Sequence, residues 1–260
     1  MKRFILGLLI SLLLLVSAGI SAFAATPDNS LGYKDNDKIN NVVAVEVLSS
    51  LGVISGYDDG NFYPAKPVTR AEMAKMICCL LNKAEESAEQ GPSQFKDMGT
   101  HWADPYVSWC TQEKIISGKN ESTFDPNATV TGVEAAKMLL VALGYNPIIE
   151  GFTGVTWEAN VLKAARSAGL LQINDSLKLH TPLTREEVAQ IMLNALDANI
   201  VYYDFQFDHQ QDDGLPFYSS FQAKSSQRLY EQMYSGILQK NTTQDEEGNS
   251  LVTWTILTSE

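Results

Sequence analysis

Positive charge is scarce in this chain: 19 Lys and Arg stand against 31 Asp and Glu in 260 residues. Such a field repels anionic polymers, which excludes nucleic-acid binding or adsorption to an anionic membrane through bulk charge. Any anionic ligand must be held by local cations. Cysteine is scarce too. Cys78, Cys79 and Cys110 are too few, and odd in number, for a disulfide framework. Cys78 and Cys79 are adjacent in an apolar helical run and read as core thiols. The three histidines, His101, His180 and His209, lack metal-ligand spacing and a serine elbow. Acidic residues are scattered evenly. No catalytic constellation, metal site or cofactor motif emerges, and an enzyme is not expected.

One long apolar run stands out, from Phe4 to Ile20, between Met1-Lys2-Arg3 and the small residues of Ala22-Phe23-Ala24. Residues 1–24 therefore read as a secretory signal peptide. The alternative, an uncleaved membrane anchor, meets a run that is short for a span. No cysteine follows it, so a lipoprotein anchor is not expected. Removal of residues 1–24 leaves 17 basic and 31 acidic residues, a net charge near −14. After that cleavage no membrane association is expected.

What the chain does have is an internal repeat. Leu51-Gly-Val-Ile-Ser-Gly-Tyr-Asp-Asp-Gly-Asn-Phe-Tyr-Pro, followed by Val68-Thr-Arg-Ala-Glu-Met-Ala-Lys-Met-Ile, lines up with Glu113-Lys-Ile-Ile-Ser-Gly-Lys-Asn-Glu-Ser-Thr-Phe-Asp-Pro and Val130-Thr-Gly-Val-Glu-Ala-Ala-Lys-Met-Leu. A third copy runs Ala168-Gly-Leu-Leu-Gln, then Leu183-Thr-Arg-Glu-Glu-Val-Ala-Gln-Ile-Met. Threonines at 69, 131 and 184 set spacings of 62 and 53 residues. A period of this size means one supersecondary unit used three times, each needing its neighbours to close a core.

Three- and four-residue apolar spacing predicts paired helices in each unit: about 40–51 and 69–80; one from Asp104 on, with Tyr106, Trp109 and Cys110 on its apolar face, and 131–143; and 157–168 and 184–196. Gly52, Gly144 and Gly169 suit left-handed stops. Asp104 reads as a cap with Pro105 behind it. The organisation expected is repeat one over 33–83, a charged solvated linker over 84–94, repeat two over 95–146, repeat three over 152–198 and an extension over 199–260. Within the extension, Tyr202–Asp208 and Leu251–Leu257 read as strands and Ser225–Ile237 as a helix. The last strand has no evident partner, as if a further module began there.

In each unit a threonine precedes a glutamate by three residues: Thr69 and Glu72, Thr131 and Glu134, Thr184 and Glu187. That is a capping box, in which the hydroxyl accepts from the third helical amide and the carboxylate reaches back. Arg70 and Arg185 follow the first and third threonines, where the helix dipole disfavours a cation. Gly132 replaces arginine in the second box, so capping does not require it. A cation beside free helix-end amides makes an anion site, so each arginine is expected to face a carboxylate or phosphate; the alternative is a surface arginine paired with a neighbouring acid. Gly56–Pro64 fails as a calcium loop, since Lys66 falls where the bidentate glutamate belongs. It reads instead as a tight turn, with Gly60 at positive φ and Phe62 plugging the core. Trp102 and Trp157 occupy matching places before the first helices of their units. Each is either core or a platform for a sugar ring.

Phe95-x-Asp97, His101-Trp102-Ala103, the Gly56–Pro64 loop and Thr69-Arg70-Ala71-Glu72 together resemble the S-layer homology domain, in three tandem copies over about residues 33–198. The resemblance implies an all-α, pseudo-three-fold assembly of helix-loop-helix repeats, here with a small mixed α/β extension. It also implies non-covalent anchoring to a pyruvylated secondary cell wall polymer on peptidoglycan, with no cofactor, and location in the cell wall or S-layer. By the same resemblance, other S-layer subunits would be further partners. Arg70 and Arg185 would then contact the polymer carboxylate, while Asp35, Asp97, Gly56, Tyr57, Trp102 and Trp157 would belong to the grooves between repeats. Repeat two has Gly132 for arginine and Lys119-Asn120 in its loop; repeat three lacks the opening aspartate and has a shortened loop; repeat one lacks the tryptophan. Those departures leave at most one or two intact grooves. The alternatives are a wall-associated adhesin or enzyme with its active part in or beyond the extension, and a degenerate assembly module.

Overall fold

The computed structural model describes residues 20–23, 31–171, 179–210, 216–245 and 247–257. Among them the part up to residue 198 is mostly helical, and residues 199–257, together with Ile20–Phe23, form two small antiparallel sheets. The helices are α1 (Val42–Ser50), α2 (Arg70–Leu80), α3 (Ala84–Ala88), α4 (Asp104–Gln112), α5 (Gly132–Ala142), α6 (Trp157–Ser167), α7 (Arg185–Leu196) and α8 (Leu229–Met233). No described helix is long and apolar enough to cross a membrane.

Apolar stripes decide how the helices pair. α1 buries Ala44, Val45, Val47 and Leu48, and α2 buries Met73, Ala74, Ile77 and Leu80. Valine is a weak helix former, so packing rather than propensity holds α1. Its end is a glycine stop, Gly52 at φ 70°. α2 packs on α4, α5 on α6, and α7 back on α1. A ring of backbone hydrogen bonds at the centre matches that circuit. Val68 donates to Leu183 at 3.0 Å, Leu183 to Val130 at 2.9 Å, and Val130 to Val68 at 3.0 Å. All three side chains are buried. Each of these short segments satisfies its backbone only through the other two, so none is stable alone.

Several expectations change. The stretch expected to be a solvated linker contains α3. Ser87 is buried there, and Trp109 Nε1 donates to Glu86 Oε1 at 3.1 Å, so the segment lies on α4. Asp104 caps nothing; Ala103 stands at that position. The Asp104 carboxylate is buried and accepts from the Ser93 hydroxyl at 2.5 Å.

In the extension, β2 (Asn199–Gln210) pairs antiparallel with β3 (Pro216–Arg228). The expected helix at 225 begins only at Leu229, because Ser225–Arg228 continue β3. The final strand does have partners. β5 (Ser250–Leu257) pairs along its length with β4 (Leu238–Gln244), while β1 (Ile20–Phe23) runs antiparallel on its other edge. The rest of the expected leader lies outside the described residues. The extension is fastened to the helical part: Tyr234 Oη donates to the carbonyls of Cys79 and Leu80 at 3.0 and 3.1 Å. Asp197, behind α7, pairs with Arg228 and with Lys240, the latter at 2.6 Å.

Candidate functional site

All three capping boxes form. The hydroxyls of Thr69, Thr131 and Thr184 accept from the amides of Glu72, Glu134 and Glu187 at 3.2, 3.4 and 3.4 Å. The glutamates return the bond to the threonine amides at 2.8, 2.9 and 2.7 Å.

Next to the boxes the geometry departs from the expected anion site. The Arg70 amide donates to Ala128 O at 2.8 Å and the Ala71 amide to Pro126 O at 3.1 Å; the Arg185 and Glu186 amides donate to Lys66 O and Pro64 O at 2.9 and 3.2 Å. Those helix ends are therefore occupied by carbonyls of a neighbouring unit and offer no free amides. Both guanidinium groups are buried as well. Arg185 Nε donates to Phe62 O at 2.9 Å and Nη2 to Ser55 O at 2.7 Å. Arg70 repeats this with Phe124 O at 2.9 Å and Ser117 O at 2.7 Å. Each cation also lies over the phenylalanine it bonds, 4.7 Å from the Phe62 ring centre and 4.5 Å from that of Phe124. Arginine at the start of one helix thus clamps the loop of another unit, with two of its five N–H donors directed at carbonyls in these bonds.

The loops are built to receive the clamp. Asp35 accepts from the amides of Phe62 and Tyr63 at 2.7 and 2.8 Å; Asp97 accepts from Phe124 and Asp125 at 2.9 and 2.7 Å. Tyr63 and Asp125 have φ of 56° and 63°, a conformation a non-glycine residue holds only when its surroundings fix it. Asp35 and Asp97 therefore hold the loops, and neither lines the pocket described next. Gly56 and Gly118 are glycines for space. A Cβ would come within 2.6 Å of the Tyr33 ring at Gly56 and 2.4 Å of the Phe95 ring at Gly118.

A pocket of about 280 Å³ opens above the first loop. Its wall takes Ser55, Gly56 and Tyr57 from the loop, Glu72, Lys75 and Met76 from α2, Trp102 from the second unit and Arg185 from the third. Of the residues expected at the carboxylate and in the grooves, Gly56, Tyr57, Trp102 and Arg185 line this pocket, while Arg70, Asp35, Asp97 and Trp157 do not. Trp102 is 53% exposed, so it is not a core residue. Lys75 Nζ stands 6.0 Å from its ring centre. Tyr57 donates to Glu72 at 3.1 Å and accepts from Lys66 at 2.8 Å. Arg185 and Lys75 outweigh Glu72, making the lining cationic in an acidic chain. Lys75 was not singled out from the sequence, although a lysine stands six residues after the capping threonine at both Lys75 and Lys137.

The second loop carries the same parts. Arg70 lies under Ser117, and Lys137 Nζ stands 5.1 Å from the Trp157 ring centre. Tyr57 is replaced by Lys119, whose ammonium pairs with Glu134 at 3.3 Å. Burial pushes the Lys137 ammonium below the ordinary lysine range, against the pull of Glu134. The third position differs. Gly132 stands where an arginine would be, and a Cβ there would meet the Leu179 Cα at 3.0 Å. The Val133 amide donates to Leu179 O at 2.9 Å, so the backbone behind the shortened loop sits directly on the helix end. No group of three or more His, Cys, Asp or Glu suited to a metal occurs among the described residues.

Residues 33–74 and 94–136 each match the family model of the S-layer homology domain, so the chain carries that domain in two copies. Residues 152–198 are not among the matched residues. A surface layer protein of Brevibacillus choshinensis is 31% identical over 58% of this chain and 13% of its own length. A cellulosome-anchoring protein of Acetivibrio thermocellus is 30% identical over 50% of this chain and 30% of its own. An uncharacterised cell wall amidase of Bacillus anthracis is 26% identical over 54% and 27%. The matched stretch thus spans less than a third of these relatives.

Proposed function

We propose that this chain anchors itself non-covalently to the bacterial cell wall by binding an anionic, pyruvylated secondary polysaccharide on peptidoglycan. Three units act in it as one pseudo-three-fold S-layer homology assembly at the cell surface. The observation that carries the reading is the pocket in which Gly56, Tyr57, Trp102 and Arg185 converge from three units. Trp102 offers a ring face to a pyranose, and Lys75 and the remaining donors of Arg185 offer positive charge to a carboxylate. The second site uses Arg70, Lys137 and Trp157. Two matched S-layer homology domains and relatives named as surface layer and cellulosome-anchoring proteins support this reading. Other surface-layer subunits are the second class of partner. The wall amidase among the relatives fits an anchoring segment joined to a catalytic one, and the segment shared with it is read here as the anchor.

Co-sedimentation of the chain with purified wall sacculi, before and after mild acid stripping of the secondary polymer, tests this. Binding that disappears on stripping and is competed by a pyruvylated amino sugar supports it. Binding that survives stripping overturns the polysaccharide as ligand.

A further inference from the structure

Three thiols take no part in the wall-binding reading, and two of them face each other. Cys78 on α2 and Cys110 on α4 are fully buried, with their sulfurs 3.6 Å apart. They lie where α2 of the first unit packs on α4 of the second. Neither has a strong competing partner: Cys78 Sγ reaches Tyr106 O at 3.8 Å and Cys110 Sγ reaches Ala74 O at 3.6 Å. Bonding distance is about 2.05 Å, an approach of roughly 1.5 Å for two side chains on separate helices. Cys79 is more exposed than either and stays outside the pair.

We propose that Cys78 and Cys110 form a disulfide that staples the first two units together, made by exchange with a disulfide-bearing oxidant. One cysteine thiolate attacks the oxidant, giving a mixed disulfide and releasing one thiol. The second thiolate attacks the mixed disulfide, forming the Cys78–Cys110 bond and releasing the other thiol. Two electrons and two protons leave the cysteines, and the oxidant departs as two thiols. The hydrogen bond with Cys78 and burial hold the Cys110 thiol well above the ordinary range, so exchange is slow once α2 and α4 have closed and belongs to the folding chain. The bond closes a loop spanning 32 residues of sequence. Its persistence in the cell rests on the cell-surface reading, since disulfides survive outside the reducing cytosol; its formation does not.

The full chain is refolded in a mixture of reduced and oxidised glutathione, quenched with acid, denatured and titrated for free thiols, and its peptides are mapped by mass. One thiol per chain, a peptide linked through Cys110, and a Tm about 5–10 °C above that of the reduced protein are expected. In Cys79→Ser no thiol remains and the same link is found, which separates Cys78 from its neighbour. In Cys110→Ser the Tm no longer responds to reductant. Three free thiols after refolding, a Cys78–Cys79 bond, or chains joined through Cys79 would overturn the proposal. Sedimentation with sacculi is scored separately, so failed anchoring leaves the thiol result intact.

Discussion

Arg185 donates from Nη2 to the carbonyl of Ser55 at 2.7 Å, tying the start of α7 to the loop that follows α1. Only a planar fork reaches both this carbonyl and that of Phe62. Arg185→Ala leaves both acceptors without their cation and removes the charge over the Phe62 ring, so it should cost about 2–4 kcal/mol of folding stability. Arg185→Lys keeps the charge and loses the fork, and should recover less than half of that. Urea unfolding with sacculus binding measured on the same samples checks both. An arginine that served the ligand alone would lower binding and leave the urea midpoint in place.

That pair also shows what a sequence reading can and cannot reach. The capping boxes were legible because their partners are three residues apart. Phe62 was legible as a core plug because an apolar residue between polar turn residues has one place to go. Arg70 and Arg185 were legible as superfluous to capping, since Gly132 dispenses with them. Their acceptors were not, because Ser55 and Ser117 are brought near only by closure of the ring. The same closure takes the helix-end amides that looked free. α3 was missed because its charged face resembles a linker and its anchor, Trp109, lies downstream. Ser225–Arg228 continue a strand where a helix is expected, because nothing local shows that β2 lies alongside.

Trp102 and Trp157 should part company under mutation. Trp102 is 53% exposed and Trp157 is partly buried against the core. Trp102→Ala should change stability by less than about 1 kcal/mol while lowering sacculus affinity at least tenfold. Trp157→Ala should lower both, by about 1–3 kcal/mol in stability. A Trp102→Ala protein that sediments like wild type would remove the indole from the site.

Acid should loosen the second unit through two carboxylates. Burial pushes the Asp97 carboxyl up, but the amides of Phe124 and Asp125 and the nearby Arg70 charge outweigh it and hold it below the ordinary range. Glu134 behaves alike: burial opposes, and Thr131 and Lys119 prevail. A lowered folded pKa means a contribution fully present above the unfolded value, about 4, and lost as pH falls through the folded one. The urea midpoint should therefore hold from pH 7 to about 4.5 and fall below it. Asp97→Asn should flatten part of that fall at the cost of lower stability at neutral pH. An unchanged acid slope in Asp97→Asn would mean this carboxylate is not a source.

Gly132 tests whether the third position can be rebuilt into a site. Arginine occurs there in the other two boxes, so Gly132→Arg looks like restoration of the missing member. The structure argues against it. Any Cβ at 132 meets the Leu179 Cα at 3.0 Å and its carbonyl oxygen at 3.2 Å, and both are backbone atoms that cannot swing aside. The Val133 amide already holds that carbonyl at 2.9 Å, so moving Leu179 away also breaks a hydrogen bond at the helix end. Gly132→Ala should already cost about 1–3 kcal/mol through overpacking. Gly132→Arg should cost at least as much and add no wall binding. Thermal unfolding and sacculus sedimentation of both variants decide the point. A stable Gly132→Arg protein with raised affinity would mean that the third position opens readily and that its silence is a matter of one side chain, not of the backbone packed against it.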